Sequence, residues 1–173
     1  MAKSIDFSRL TLQDALDLAI LVEEEAEERY QEFARQMDSH RTPEAAAFFR
    51  LMVVNEAKHG SDLRRRRQSL FGDAPSRVTR DMLWDIEAPE YDEARAFMSA
   101  RNAMEVALRS EIKARGYFEK ALPIVTHPEV RKLFAELRDD EILHEELVRK
   151  ELAKVPADPG IDPDDWVDEP VSQ

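Results

Sequence analysis

Apolar positions along this chain recur three and four residues apart, the period of an amphipathic helix, and no stretch alternates convincingly in the rhythm of a strand. A first helix is expected from Thr11, a good N-cap, to about Met37, with a turn over Asp38 to Arg41. Thr42 and Pro43 open a second, proline taking the first helical position, and it ends near Leu70, ahead of Gly72 and Pro75. Residues 71 to 91 make the longest irregular link, with a short helical turn after Thr79. A third helix is expected over Tyr91 to Val125, with a break near Ser99, and a fourth from Pro128 to about Lys154. Pro156, Pro159, Gly160 and Pro163 forbid further helix. Two short links and one long one imply two antiparallel hairpins joined by a crossover. The expectation is an all-α four-helix bundle over residues 1–154, then an acidic, proline-rich tail over 155–173 expected to be flexible.

The second half repeats the first. Pro43, Glu44, Phe49, Glu56 and His59 are echoed 85 positions later by Pro128, Glu129, Phe134, Glu141 and His144. Ala19, Glu23, Ala26 and Tyr30 are echoed 88 positions later by Ala107, Glu111, Ala114 and Phe118. The chain reads as two copies of one helical hairpin related by a pseudo-twofold axis.

The faces expected to point inward are apolar with a few exceptions. They run Leu12, Leu16, Ala19, Glu23, Ala26, Tyr30, Phe33 and Met37 on the first helix, and Ala45, Phe49, Met52, Glu56, His59 and Leu63 on the second. The third gives Phe97, Ala100, Met104, Ala107, Glu111, Ala114, Phe118, Ala121 and Val125, and the fourth Val130, Phe134, Leu137, Glu141, His144 and Val148. Besides the Tyr30 phenol, the ionisable interruptions are four glutamates and two histidines. An ionised carboxylate buried without a partner costs several kcal/mol or is forced to protonate. No Lys or Arg lies on these seams to neutralise four of them. Two divalent cations would, because four negative charges meet four positive ones and neutral imidazoles add none. Glu-x-x-His sets both side chains within about 60° on one helix face, so both can reach one ion.

Composition narrows the classes further. The 173 residues suit one domain, and the formal net charge of -12 argues against nucleic acid, which selects basic surfaces. The basic run Arg64 to Arg67 closes the second helix, where cations complement the helix dipole. No apolar run is long enough to cross a bilayer, and Met1 to Phe7 lacks a signal-peptide pattern, so a cytoplasmic location is expected. With no cysteine, thiolate zinc and rubredoxin-type iron sites are excluded.

Together, Ala19-x-x-x-Glu23-x-x-Ala26-x-x-x-Tyr30, Glu56-x-x-His59, Glu111-x-x-Ala114 and Glu141-x-x-His144 resemble the rubrerythrin-like branch of the ferritin-like superfamily. The resemblance covers roughly residues 11 to 154 and implies a ferritin-like bundle holding two iron ions, with manganese an alternative metal. It implies that Glu56 and Glu141 bridge the ions, that Glu23 with His59 completes one, and that Glu111 with His144 completes the other. One departure is plain. Peroxidase rubrerythrins usually carry a further ligand glutamate three residues from the third-helix glutamate, where this chain has Leu108 and Ala114. The six-residue set is similar to the bacterioferritin ferroxidase centre, but Ala57 stands where bacterioferritins have their haem-binding methionine, so no haem is expected.

The implied activity is that of a di-iron peroxidase or ferroxidase, oxidising ferrous iron with hydrogen peroxide or dioxygen. Its electrons would come from an external donor or from incoming iron, and the resemblance implies a homodimer. Competing readings are non-catalytic iron storage or delivery, an oxygenase acting on an organic substrate, and a manganese catalase. Tyr30 could hydrogen-bond a ligand carboxylate or supply an electron, or simply fill the core. Asn55 and Asp140 are candidate acceptors for the second N–H of the opposite helix's histidine. Glu24, Glu25, Glu27 and Glu28 read as a solvated face or a guide for iron. His40 and His127 sit at helix starts and need no metal. Trp166 and Val167 in the tail could form a docking segment.

Overall fold

The computed structural model describes residues 5–82 and 98–156. Its main elements are α1 (Leu12–Ser39), α2 (Pro43–Phe71), α3 (Ala100–Ala121) and α4 (Pro128–Leu152), with short 3-10 turns at Phe7–Arg9 and Arg80–Met82. No strand occurs among the described residues. No described helix is long and apolar enough to cross a membrane. The expected start of the third helix at Tyr91, the seam residue Phe97 and the tail carrying Trp166 and Val167 lie outside the described residues.

Local chemistry accounts for the helix ends. Thr11 caps α1 with a reciprocal box, its hydroxyl accepting from the Asp14 N–H while the Asp14 carboxylate accepts from the Thr11 N–H. Ser99 and Asn102 build the same box at the start of α3, 88 positions later, so the break expected near Ser99 is a helix start. Pro43 and Pro128 are the first residues of α2 and α4, where a missing N–H costs nothing. The His127 ring caps α4 by accepting from the Glu129 N–H at 3.2 Å, whereas His40 follows the end of α1 rather than starting a helix. Helix α3 stops four residues short of the expected Val125, because Pro123 has no N–H with which to continue the ladder. Gly72, at φ 54, lets the chain leave α2 through the left-handed region.

Helix α1 packs on α2 and α3 on α4, while α2 meets α3 and α1 meets α4 more lightly. Helices α1 and α3 therefore occupy one diagonal of the bundle, α2 and α4 the other. Two apolar clusters fill the interior. One gathers Tyr30, Phe33, Phe49, Met52 and Met104, and the other Leu16, Phe118, Leu133 and Phe134. Aromatic rings contact within each: Phe33 meets Phe49 edge-on at 5.2 Å, and Phe118 meets Phe134 at 5.4 Å.

The four arginines expected to close α2 stand before its last turn, which holds no basic residue, so they act through ion pairs rather than on its dipole. Arg64 pairs with Glu24, Arg65 with Asp62, Arg66 with Glu136 and Arg67 with Asp17, so the run braces α2 against both α1 and α4. The Arg67–Asp17 pair is well shielded from solvent, and Arg67 also donates to the carbonyls of Gly72 and Ala74, tying down the start of the crossover.

Phe49 has no exposed surface and touches both Tyr30 and Phe33. Phe49→Ala should lower unfolding stability by about 3–5 kcal/mol in urea titration. A loss under about 1 kcal/mol would mean that this cluster is not the packed core described.

Candidate metal centre

Between the two apolar clusters lies a polar waist. Glu23 of α1, Glu56 of α2, Glu111 of α3, and Glu141 and His144 of α4 are buried there, and His59 of α2 is half-buried. Each arrives because the helical period that buries Phe and Leu above and below it also turns its side chain inward.

All six belong to one connected cluster. The Nδ1 atom of His144 lies 3.1 Å from Glu111 Oε2 and 3.8 Å from Glu141 Oε2. Across the waist, His59 Nδ1 lies 3.9 Å from Glu23 Oε1. The two imidazoles stack with centroids 4.7 Å apart and 21° between planes, joining the α2–α4 diagonal. The Glu23 and Glu56 carboxyls also interact, and Glu56 lowers the Glu23 pKa. Tyr30 donates its phenolic O–H to Glu111 Oε1 at 3.3 Å, so it serves the carboxylate of the diagonal helix rather than Glu23 on its own. Its counterpart Phe118 has no hydroxyl, and the cluster is one-sided in this respect.

The electrostatics are those of a crowded acidic interior. Burial pushes the Glu23 carboxyl up from an ordinary 4.5 to about 7. The neighbouring Glu56 carboxyl and the nearby His144 offset that rise in part, and the charges of Glu111 and Asp140 add to it. For His144 burial favours the neutral ring, but the hydrogen bond and charge of Glu111, with Glu23 and Asp140, outweigh it and raise the pKa above 6.5. His59 is lowered, first by burial and then by repulsion from His144.

A cation would relieve this crowding. Glu56, Glu111 and His144 each present a ligand atom, and the three atoms lie within 4.8 Å of one another, close enough to share one ion. Glu23 Oε2 is buried without a hydrogen-bond partner among the described residues. Carboxylate oxygens and imidazole nitrogens suit iron, manganese and zinc. The residues present fit a metal.

The matching family model is that of rubrerythrin, over residues 14–152. The chain belongs to the rubrerythrin family. Rubrerythrins typically bind iron, and the group formed by Glu56, Glu111 and His144 could hold such an ion. Among solved structures, the chain is similar to an uncharacterised conserved protein from Magnetospirillum magnetotacticum. The two are 29% identical, with a TM-score of 0.65 over 86% of this chain and 98% of the other. No curated protein matches the sequence.

The surroundings were less legible than the cluster itself. Asp140 reaches a cleft beside His59, but no hydrogen bond joins the two among the described residues. Asn55 offers His144 nothing either, and its buried Nδ2 has no hydrogen-bond partner among the described residues. Glu24 and Glu28 are held by arginines, Glu24 by Arg64 at 2.9 Å and Glu28 by both terminal nitrogens of Arg80 at 2.7 Å. Glu145, next to His144, went unnoticed in the sequence. It is buried and paired with Arg115 at 2.8 Å, and its repeat counterpart is Gly60, so no internal echo marks it.

The shifts fix the sign of the pH dependence for metal-free protein. Glu23 binds its proton more tightly folded than unfolded, so its contribution falls as pH rises from 4.5 to about 7. His144 adds stability below 6.5 that is lost as pH rises through its folded value, while His59 costs stability as pH falls below 6.5. Denaturant titrations of metal-free protein should show stability falling between pH 5 and 7, within the Glu23 window. Glu23→Gln should flatten that slope. An equal slope in the variant would remove Glu23 as its cause.

Proposed function

We propose that this protein is a non-haem di-iron oxidoreductase that oxidises ferrous iron with hydrogen peroxide or dioxygen, a peroxidase or ferroxidase of the rubrerythrin family. The reading is carried by one observation: four buried glutamates and two histidines meet in a waist otherwise walled by apolar side chains. Glu23, Glu56, His59, Glu111, Glu141 and His144 would hold the two ions. Bound there, iron supplies single electrons in pairs, matching the two-electron reduction of peroxide.

The chain's own residues do the rest. The carboxylates offset the cations' charge, and the histidines add neutral nitrogen donors whose softer character suits ferrous iron. Phe33 and Phe49 on one side and Phe118 and Phe134 on the other exclude bulk water, which strengthens each electrostatic contact inside. Tyr30, donating to Glu111, orients that carboxylate and is the side chain placed to pass a proton or an electron to the cluster. Electrons for turnover come from incoming ferrous iron or an external donor, since the chain has no cysteine for a rubredoxin-type site.

Anaerobic titration with ferrous iron should saturate at two ions per chain, and stoichiometric peroxide should then produce the near-ultraviolet absorption of ferric iron. Glu56→Ala should abolish both, and Tyr30→Phe should slow the oxidation by about tenfold while retaining stoichiometry. Glu56→Ala protein that binds and oxidises iron like the unaltered chain would end this reading.

A further inference from the structure

Helices α2 and α4 repeat at 85 positions, so every surface around one histidine has a counterpart around the other. Beside His59 a cleft of about 320 Å³ opens between these helices, rimmed by Lys58, Asp62, Arg66, Glu136 and Asp140. Shifted by 85, those five become Leu143, Leu147, Glu151, Leu51 and Asn55. Three charged groups have turned into leucine and a fourth into a neutral amide. The histidines differ to match: the His59 side chain is 22% exposed and lines the cleft, and that of His144 is 10% exposed.

We propose that the cleft beside His59 is the doorway through which a divalent cation reaches the buried carboxylates, with Asp140 as its guiding charge, while the leucine-covered face beside His144 admits none. This rests on the reading of the six residues as a cation site. The cleft is large enough to receive a hydrated cation, since six waters occupy roughly 200 Å³ at about 30 Å³ each. Charge directs it. Arg66 and Glu136 cancel each other across 2.6 Å, and Asp62 is taken up by Arg65. Asp140 has no ion pair among the described residues and lines the cleft beside His59. It is thus the uncompensated negative charge on the rim, with the Lys58 ammonium on the same rim opposing it. A leucine-lined surface gives a hydrated ion no replacement for its water ligands, so the opposite face is closed by its chemistry. A cation therefore meets His59 first.

Stopped-flow mixing of metal-free protein with cobalt(II), followed by its visible absorption, tests the route. Asp140→Asn should slow association about threefold to tenfold and weaken its dependence on ionic strength, with unchanged helical circular dichroism and final cobalt stoichiometry. Lys58→Gln should accelerate it, and Leu143→Ala should leave it unchanged. The doorway is overturned if wild type takes up two cobalt ions while Asp140→Asn and Lys58→Gln load at its rate, or if Leu143→Ala is slowed as much as Asp140→Asn. In either result the cation site itself would stand. No cobalt uptake by wild type would overturn the site and the doorway together.

Discussion

Four carboxylates confined in one apolar interior set the terms for this molecule. Each lost its water when the helices closed around it, and for Glu23 burial beside other acids favours the protonated form. Without cations Glu23 holds its proton up to about pH 7, and His144 turns toward Glu111. The apolar clusters above and below must therefore carry the fold while the waist opposes it. Metal binding would reverse that opposition, since ions that bind only the folded chain stabilise it by mass action.

The helices and their inward faces were legible because one period governs both burial and function. Every described seam residue is buried except Leu12, Ala100 and His59, which are partly exposed. Helix ends were legible where a side chain or a proline defines them, as at Thr11, Pro43 and Pro128. The stop of α3 was missed because the apolar seam continues through Val125 although Pro123 has already ended the hydrogen-bond ladder. Partnerships between helices were harder. That Arg66 finds Glu136 and Tyr30 finds Glu111 depends on rotation and height, to which spacing within one helix is blind. Asn55 and Asp140 show the limit: adjacency to a ligand put them near the waist but did not supply a hydrogen bond to either histidine.

Duplication explains much of the architecture, and the departures from it carry the specificity. Capping boxes, prolines, glutamates and histidines recur in both halves, whereas Tyr30 has become Phe118 and Gly60 corresponds to Glu145. A perfectly repeated bundle would offer two equivalent halves of one site. Here a phenol stands over one carboxylate only, and a pair between the buried Glu145 and the partly exposed Arg115 stiffens one hairpin only.

The caps also act as rulers. Glu23 lies twelve residues beyond Thr11 and Glu111 twelve beyond Ser99, while Glu56 and Glu141 each lie fourteen beyond the caps of their helices. Twelve residues span about 18 Å of helix, so the height of the acidic layer is measured from the caps and not from the loops. Connections can lengthen or shorten without disturbing it. Deleting one residue between a cap and its carboxylate would swing that side chain about 100° around the helix, out of the interior. The geometry is thus tolerant at the ends of the bundle and unforgiving along its shafts.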